Sequence, residues 1–226
     1  MSPINQDQSI PSDFYLGSPI DPPDLWFRDQ FIDELWAVLD RQHALLTAPR
    51  RTGKTSVMDY LAAYPQKDFS PIQVFVQDHD HPAEFILTLL DSFHDRYPDL
   101  FKKCLSAGSR LIRDVLKKIE EIGVAEFKVA LRKEDPDWHS NWKKHGDAFF
   151  TQTRETGHRI LFIVDEFPDM ILNMQKHHPD VVRPLFGLVP RPPAQSQSEA
   201  GLDLLAAGRI GQSFEHPRRH QLSGRN

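Results

Sequence analysis

Eight consecutive residues, Ala48-Pro49-Arg50-Arg51-Thr52-Gly53-Lys54-Thr55, have types and spacing suited to holding an anion. They fit the phosphate-binding loop pattern Gly-x-x-x-x-Gly-Lys-Ser/Thr except that Ala48 stands where the first glycine belongs. A loop of this kind wraps backbone N–H groups around the anion, and the helix behind it adds unpaired donors and the positive end of its dipole. Lys54 is spaced to reach β- and γ-phosphates, the Thr55 hydroxyl to hold Mg²⁺, and Ser56 continues the run into the helix. A Gly-Lys-Thr tripeptide also occurs in unrelated turns, and the alanine at position 48 favours that bland reading of the loop taken alone.

A second stretch far downstream weighs against coincidence. Arg159-Ile160-Leu161-Phe162-Ile163-Val164-Asp165-Glu166 is an apolar run that ends in two carboxylates. Behind a phosphate-binding loop, the first carboxylate of such a pair serves Mg²⁺ and the second polarises an attacking water. Asp165 is therefore the metal-ligand candidate beside Thr55, and Glu166 and Lys54 are the catalytic candidates. Nucleotide binding, with ATP and Mg²⁺ as ligands, is the expected chemistry.

Both motifs need strands and helices to aim them. His43 to Thr47 reads as a buried strand ahead of the loop, and Val57 to Leu61 as the apolar start of a helix behind it. Ile160 to Val164 shows no alternation, which implies a strand buried on both faces, as in a parallel sheet. Parallel strands joined by helices bind ligands at their carboxyl ends, so Gly53-Lys54-Thr55 and Asp165-Glu166 are expected on one edge.

The remaining chain supplies the layers. Helical spacing appears over Asp29–Asp40, Pro82–Tyr97, 100–122 and again around Trp138, Trp142, Phe149 and Phe150. Pro65 to Pro71 reads as a loop and Ile72 to Val76 as a strand. Phe127, Val129 and Leu131 alternate like a short strand or hairpin arm. Phe167-Pro168 reads as a turn before a short helix from Met170 to Met174. Pro184, Pro190, Pro192 and Pro193 mark a change of character, and Leu202 to Gly208 suggests one more strand. Asp78-His79-Asp80-His81 looks superficially like a metal cluster, but consecutive side chains diverge at a strand end, so a polar loop near the nucleotide is expected. His177 and His178 read as surface histidines.

With 226 residues, 39% hydrophobic and 26% charged, the chain suits one sizeable α/β domain. A formal charge of −5 and a pI near 6.1 give no general pull toward nucleic acid, and no basic groove surrounds the aromatic residues. Cys104 stands alone, which leaves no internal disulfide and no cysteine metal cage. No membrane-length apolar run and no signal-peptide pattern are seen, so a cytoplasmic location is expected.

Trp26-Phe27-Arg28-Asp29, the Ala48–Ser56 loop and the Leu161–Met170 strand and turn together resemble the bacterial and archaeal AAA-type ATPases related to the STAND class. The resemblance spans roughly residues 15 to 210 and rests most on the Pro-Arg-Arg and Glu-Phe-Pro elements. It implies a three-layer P-loop NTPase fold with a mostly parallel sheet flanked by helices and a helical and hairpin insertion at about 100–137. The polar, Pro-rich residues 1–24 read as an irregular arm, and 211–226, with Arg218, Arg219 and Arg225 and little to bury, as a disordered basic tail, which leaves 25–210 for the ATPase domain. By the same resemblance Trp26, Phe27 and Arg28 are adenine-side candidates, although helix packing serves the two aromatics as well. Gly208-Arg209 falls where the family has a γ-phosphate sensor, and the missing helical lid makes the chain look truncated. Slow hydrolysis driving a conformational or protein-partner switch is the expected activity. A non-catalytic interaction module and a small-molecule kinase are the competing readings, and oligomeric state is left open.

Overall fold

Five consecutive apolar side chains, Ile160 to Val164, are each at most 1% exposed, so their strand has to be covered on both faces. The rest of the architecture meets that requirement. The computed structural model describes residues 21–25, 28–49, 51–107, 136–155, 157–188 and 202–209. In chain order these form a 3₁₀ turn (Pro22–Asp24), α1 (Asp29–Leu39), β1 (Ala44–Ala48), α2 (Lys54–Ala63), β2 (Phe69–Phe75), α3 (Pro82–Arg96) and α4 (Pro98–Ala107). There follow α5 (Pro136–Ser140), α6 (Trp142–Glu155), β3 (Arg159–Asp165), α7 (Phe167–His177), α8 (Pro179–Leu188) and β4 (Leu202–Arg209).

The four strands form one sheet, entirely parallel, in the order β1-β4-β3-β2. Alternate residues of β3 serve opposite layers, as the two-residue period of a strand requires. Leu161 and Ile163 pack with Ile32, Trp36 and Leu39 of α1 and with Val57, Met58 and Leu61 of α2. Ile160, Phe162 and Val164 pack with α3, α6, α7 and α8 on the other side, through side chains such as Phe85, Phe150 and Met170. The fold is thus a three-layer arrangement of helices on both faces of a parallel sheet. Each fully buried Leu or Phe contributes about 1.5–3 kcal/mol of transfer energy.

Local sequence explains most helices. In α1 the buried positions Ile32, Leu35, Trp36 and Leu39 follow the spacing of one helical face. Helix α3 starts with Pro82, whose missing N–H costs nothing in a first turn, and the His81 ring accepts the Ala83 N–H at 3.1 Å. At the amino edge of the sheet, Asp40 accepts from Lys67 Nζ at 2.9 Å and Arg159 Nη1 at 2.8 Å. The same guanidinium lies 3.9 Å from the centre of the Phe69 ring, which stacks on Trp36 at 5.4 Å. One cluster so ties α1 to β2 and β3.

Several expectations are corrected. The strand expected at Ile72 begins at Phe69, inside what reads as a loop, and Pro71 lies within it. That is affordable because β2 ends the strand order, and an edge strand can spare a ladder donor. Strand β1 is not buried on both faces: it lies at the opposite edge, His43 falls outside it, and Leu45 is 59% exposed. The aromatic helix is two helices, α5 and α6, broken at Asn141. Helix α7 begins at Phe167 rather than Met170, since Pro168 suits a first turn. Helix α8 runs through Pro184, where proline signals a break, because Leu185 and Leu188 are both buried in the core layer. Of the helix expected over 100–122, α4 covers the part up to Ala107, and the remainder lies outside the described residues. So do the Phe127–Leu131 strand, residues 1–20 of the arm and the 211–226 tail.

Two measurements test this packing. Gly146 of α6 is buried where an added Cβ would fall 2.5 Å from Leu188 Cδ2 and 2.9 Å from Ile86 Cδ1. Gly146→Val is expected to lose about 1–3 kcal/mol in a urea melt by overpacking, whereas in Gly146→Ala the better helix propensity offsets most of the strain. The Asp40 carboxyl is held below its usual range by hydrogen bonds from Lys67 and Arg159. Its contribution is therefore present above the ordinary carboxylate pKa and disappears as pH falls through the lowered value. Asp40→Asn should cost about 1 kcal/mol at pH 7, and melts below about pH 4 should show wild type and variant converging.

Candidate functional site

The loop and the two carboxylates meet at the carboxyl edge of the sheet. Strand β1 delivers Ala48 to that edge, in register with Arg209 of β4, and β3 delivers Asp165, in register with Phe75 of β2. Ala48 ends an extended strand and is not among the residues with positive φ, so the backbone makes no demand for glycine there. The demand falls on Gly53, at φ 80°, where the chain turns into α2. Arg51 also adopts a left-handed conformation, φ 62°, an uncommon state for a residue with a side chain.

Within the loop, Lys54 Nζ donates to the carbonyls of Ala48 at 2.8 Å and Pro49 at 2.9 Å. The Thr52 hydroxyl donates to the Pro49 carbonyl at 2.9 Å, and Arg28 Nη2 donates to the Thr52 carbonyl at 3.2 Å. Gly53 offers no side chain to cap α2. Thr55 is exposed, whereas Ser56 is only 2% exposed and faces the packed layer. Arg50, Trp26 and Phe27 lie outside the described residues. Arg28 is described, and its contact is with the loop.

Thr55 Oγ1 and Asp165 Oδ2 are 3.5 Å apart although 110 positions separate them in sequence. That is long for a hydroxyl–carboxylate hydrogen bond. The donor set, a hydroxyl and a carboxylate, is that of a hard divalent cation such as Mg²⁺. Asp165 Oδ1 accepts the Glu166 N–H at 2.8 Å. Glu166 is itself left-handed at φ 57°, caps α7, and is half-buried beside Asp165. Residual strain of this kind is stored at sites that the surrounding fold over-determines.

Burial raises the Asp165 carboxyl above its ordinary value, and the Asp59 charge adds to that. The Glu166 N–H, the Thr55 hydroxyl and Lys54 act in the opposite direction.

Other expectations resolve differently. The Asp78–His81 run serves packing: His79 Nε2 lies 2.7 Å from Thr88 Oγ1, and His81 caps α3 between the rings of His139 and His178. Burial, followed by the neighbouring His139 and His178, lowers the His81 pKa to about 4. Among the described residues no group of three His, Cys, Asp or Glu side chains can hold a metal ion. His177 is at the surface, 3.3 Å from Asp80. No described helix is long and apolar enough to cross a membrane.

Two polar residues beside the site escaped the sequence reading. Asp59, one turn after Thr55 on α2, accepts from Gln73 Nε2 of β2 at 2.6 Å. The available signal was a lone charge inside the apolar run Val57 to Leu61. A groove of about 690 Å³ follows the outer edge of β2, lined by Asp59, Ala62, Pro71, Gln73 and Ser92 among others.

Comparison with known proteins returns no matching family model and no matching curated protein.

The raised Asp165 carboxyl gives a test that needs no ligand. Because its pKa is higher folded than unfolded, its ionised form opposes folding above the unfolded value, and that cost is absent at lower pH. Ligand-free Asp165→Asn should therefore melt higher than wild type at pH 8, with the difference shrinking toward pH 4.

Proposed function

We propose that this chain is an ATP-binding P-loop protein of the AAA/STAND type, with Mg²⁺ as co-ligand and slow hydrolysis coupled to a conformational or partner-binding switch. The observation that carries the reading is the approach of Thr55 Oγ1 to Asp165 Oδ2, 3.5 Å across two motifs that are distant in sequence. A chance Gly-Lys-Thr turn has no reason to meet the end of an Asp-Glu strand. The parallel sheet, with both motifs at its carboxyl edge, supports the same reading.

The roles follow from residue chemistry. Phosphoryl transfer asks mainly for positioning and charge neutralisation. Lys54, which now donates to the loop's own Ala48 and Pro49 carbonyls, is the cation that turns to the phosphates when they arrive. The first-turn N–H groups of α2 supply further donors. Thr55 and Asp165 hold Mg²⁺, which when bound neutralises phosphate charge. Glu166, anchored at the α7 N-cap, orients the attacking water. Arg51 and Arg50 are charge donors at the loop. The chain's partner in the switch would be another protein.

The experiment is calorimetric titration of ATP with Mg²⁺ on wild type, Lys54→Ala and Glu166→Gln, followed by phosphate release. Lys54→Ala is expected to weaken binding about 10- to 100-fold, the worth of a charge-assisted hydrogen bond. Glu166→Gln should bind as wild type does but release no phosphate. Tight binding without turnover in any variant would point to the non-catalytic interaction module instead. Absence of ATP binding by wild type would overturn the reading.

A further inference from the structure

Thr55 and Asp59 lie one turn apart on a single face of α2, and helical side chains lean toward the N-terminus, so Asp59 leans toward Thr55. On the facing sheet, Gln73 and Phe75 of β2 are in register with Ile163 and Asp165 of β3. Gln73 and Asp165 therefore belong to the sheet face that α2 covers, the face on which Ile163 packs against Val57 and Leu61. The Gln73 amide crosses from β2 to hold Asp59 Oδ1 at 2.6 Å. Asp59 is half-buried, and no other hydrogen bond reaches its carboxylate among the described residues.

Asp59 is the one acidic side chain in the stretch Val57 to Leu61, and a lysine or arginine partner would cancel its charge. Here the partner is a neutral amide, which orients the carboxylate without cancelling its charge. A uniquely tethered negative charge one helical turn from a hydroxyl–carboxylate pair suits an outer-shell role, accepting hydrogen bonds from water on a metal ion. Small hard cations retain several such waters.

We infer that Asp59, held by Gln73, is a positioning residue of the metal site, an outer-shell carboxylate behind the inner pair Thr55 and Asp165. This inference rests on the nucleotide reading above. Asp59 adds a negative charge to those of Asp165 and Glu166 and fixes the orientation of the water shell, while Gln73 sets the angle at which the carboxylate is presented. Outer-shell partners of this kind change metal affinity about 10- to 100-fold when removed.

The test reads metal binding without turnover. Mn²⁺ is titrated by electron paramagnetic resonance into protein saturated with a non-hydrolysable ATP analogue, for wild type, Asp59→Asn, Asp59→Glu, Gln73→Leu and Asp165→Asn. Affinity for the analogue in EDTA is measured in parallel. Asp59→Asn should weaken Mn²⁺ about 10- to 100-fold with metal-free nucleotide affinity unchanged, Asp59→Glu should recover part of the loss, and Gln73→Leu should fall between. If Asp165→Asn loses Mn²⁺ while Asp59→Asn matches wild type, the inference is overturned and the nucleotide reading stands. If Asp59→Asn weakens metal-free nucleotide binding to the same degree, Asp59 is a structural residue of α2 and the inference again fails. If wild type binds neither analogue nor Mn²⁺, the nucleotide reading fails and takes the inference with it.

Discussion

The double-sided burial of Ile160 to Val164 is the constraint on which the rest depends. A strand with no polar face cannot lie against water, so helices must cover both sides of it and other strands must flank it. Chains that return over a sheet through helices run their strands parallel, and parallel strands send all their carboxyl ends to one edge. Asp165 is the first polar residue after the buried run. Its position at that edge is therefore a consequence of packing, and the loop after β1 reaches the same edge for the same reason.

The two ends of the sheet divide the labour. At the amino edge, Asp40, Lys67, Arg159, Phe69 and Trp36 form a cluster of ion pairs and stacked rings that fastens α1 to β2 and β3. At the carboxyl edge the polar groups are less settled. Lys54 bonds carbonyls of its own loop, the Thr55–Asp165 approach is long, and Arg51 and Glu166 hold left-handed backbones. Left-handed backbone also occurs at Lys67 and Asp68 ahead of β2, so the carboxyl edge is set apart by the long Thr55–Asp165 approach and by the Lys54 contacts within its own loop. Loops and strained turns on a rigid scaffold are where binding groups collect.

The candidate site was legible in sequence where the chemistry is local. Gly53-Lys54-Thr55 must be contiguous to build a loop at a helix start, and Asp165-Glu166 must follow an apolar run to emerge at its end. Ala48 looked like a defect because the pattern carries a glycine there, yet its extended backbone tolerates a methyl group. Asp59 and Gln73 were invisible because their link joins α2 to β2, and no periodicity within either segment marks it. The Asp78–His81 run misled in the opposite direction: its residue types suggest ligands, while its rings and carboxylates disperse into a helix cap and separate contacts.

Sequence by itself determined what depends on neighbours along the chain: the amphipathic faces of α1 and α3, the unalternating core of β3, the turn at Gly53 and the order of the two motifs. Tertiary structure alone decided what depends on partners across it. Strand order made β1 and β2 the edges of the described sheet, which exposed Leu45 and gave Pro71 a place within a strand. Burial of Leu185 and Leu188 carried α8 through Pro184. Packing of α2 against β3 brought Thr55 to Asp165. The division is physical: dihedral preference and hydrophobic period act over a few residues, whereas burial and register are properties of surfaces that exist only once the layers have closed.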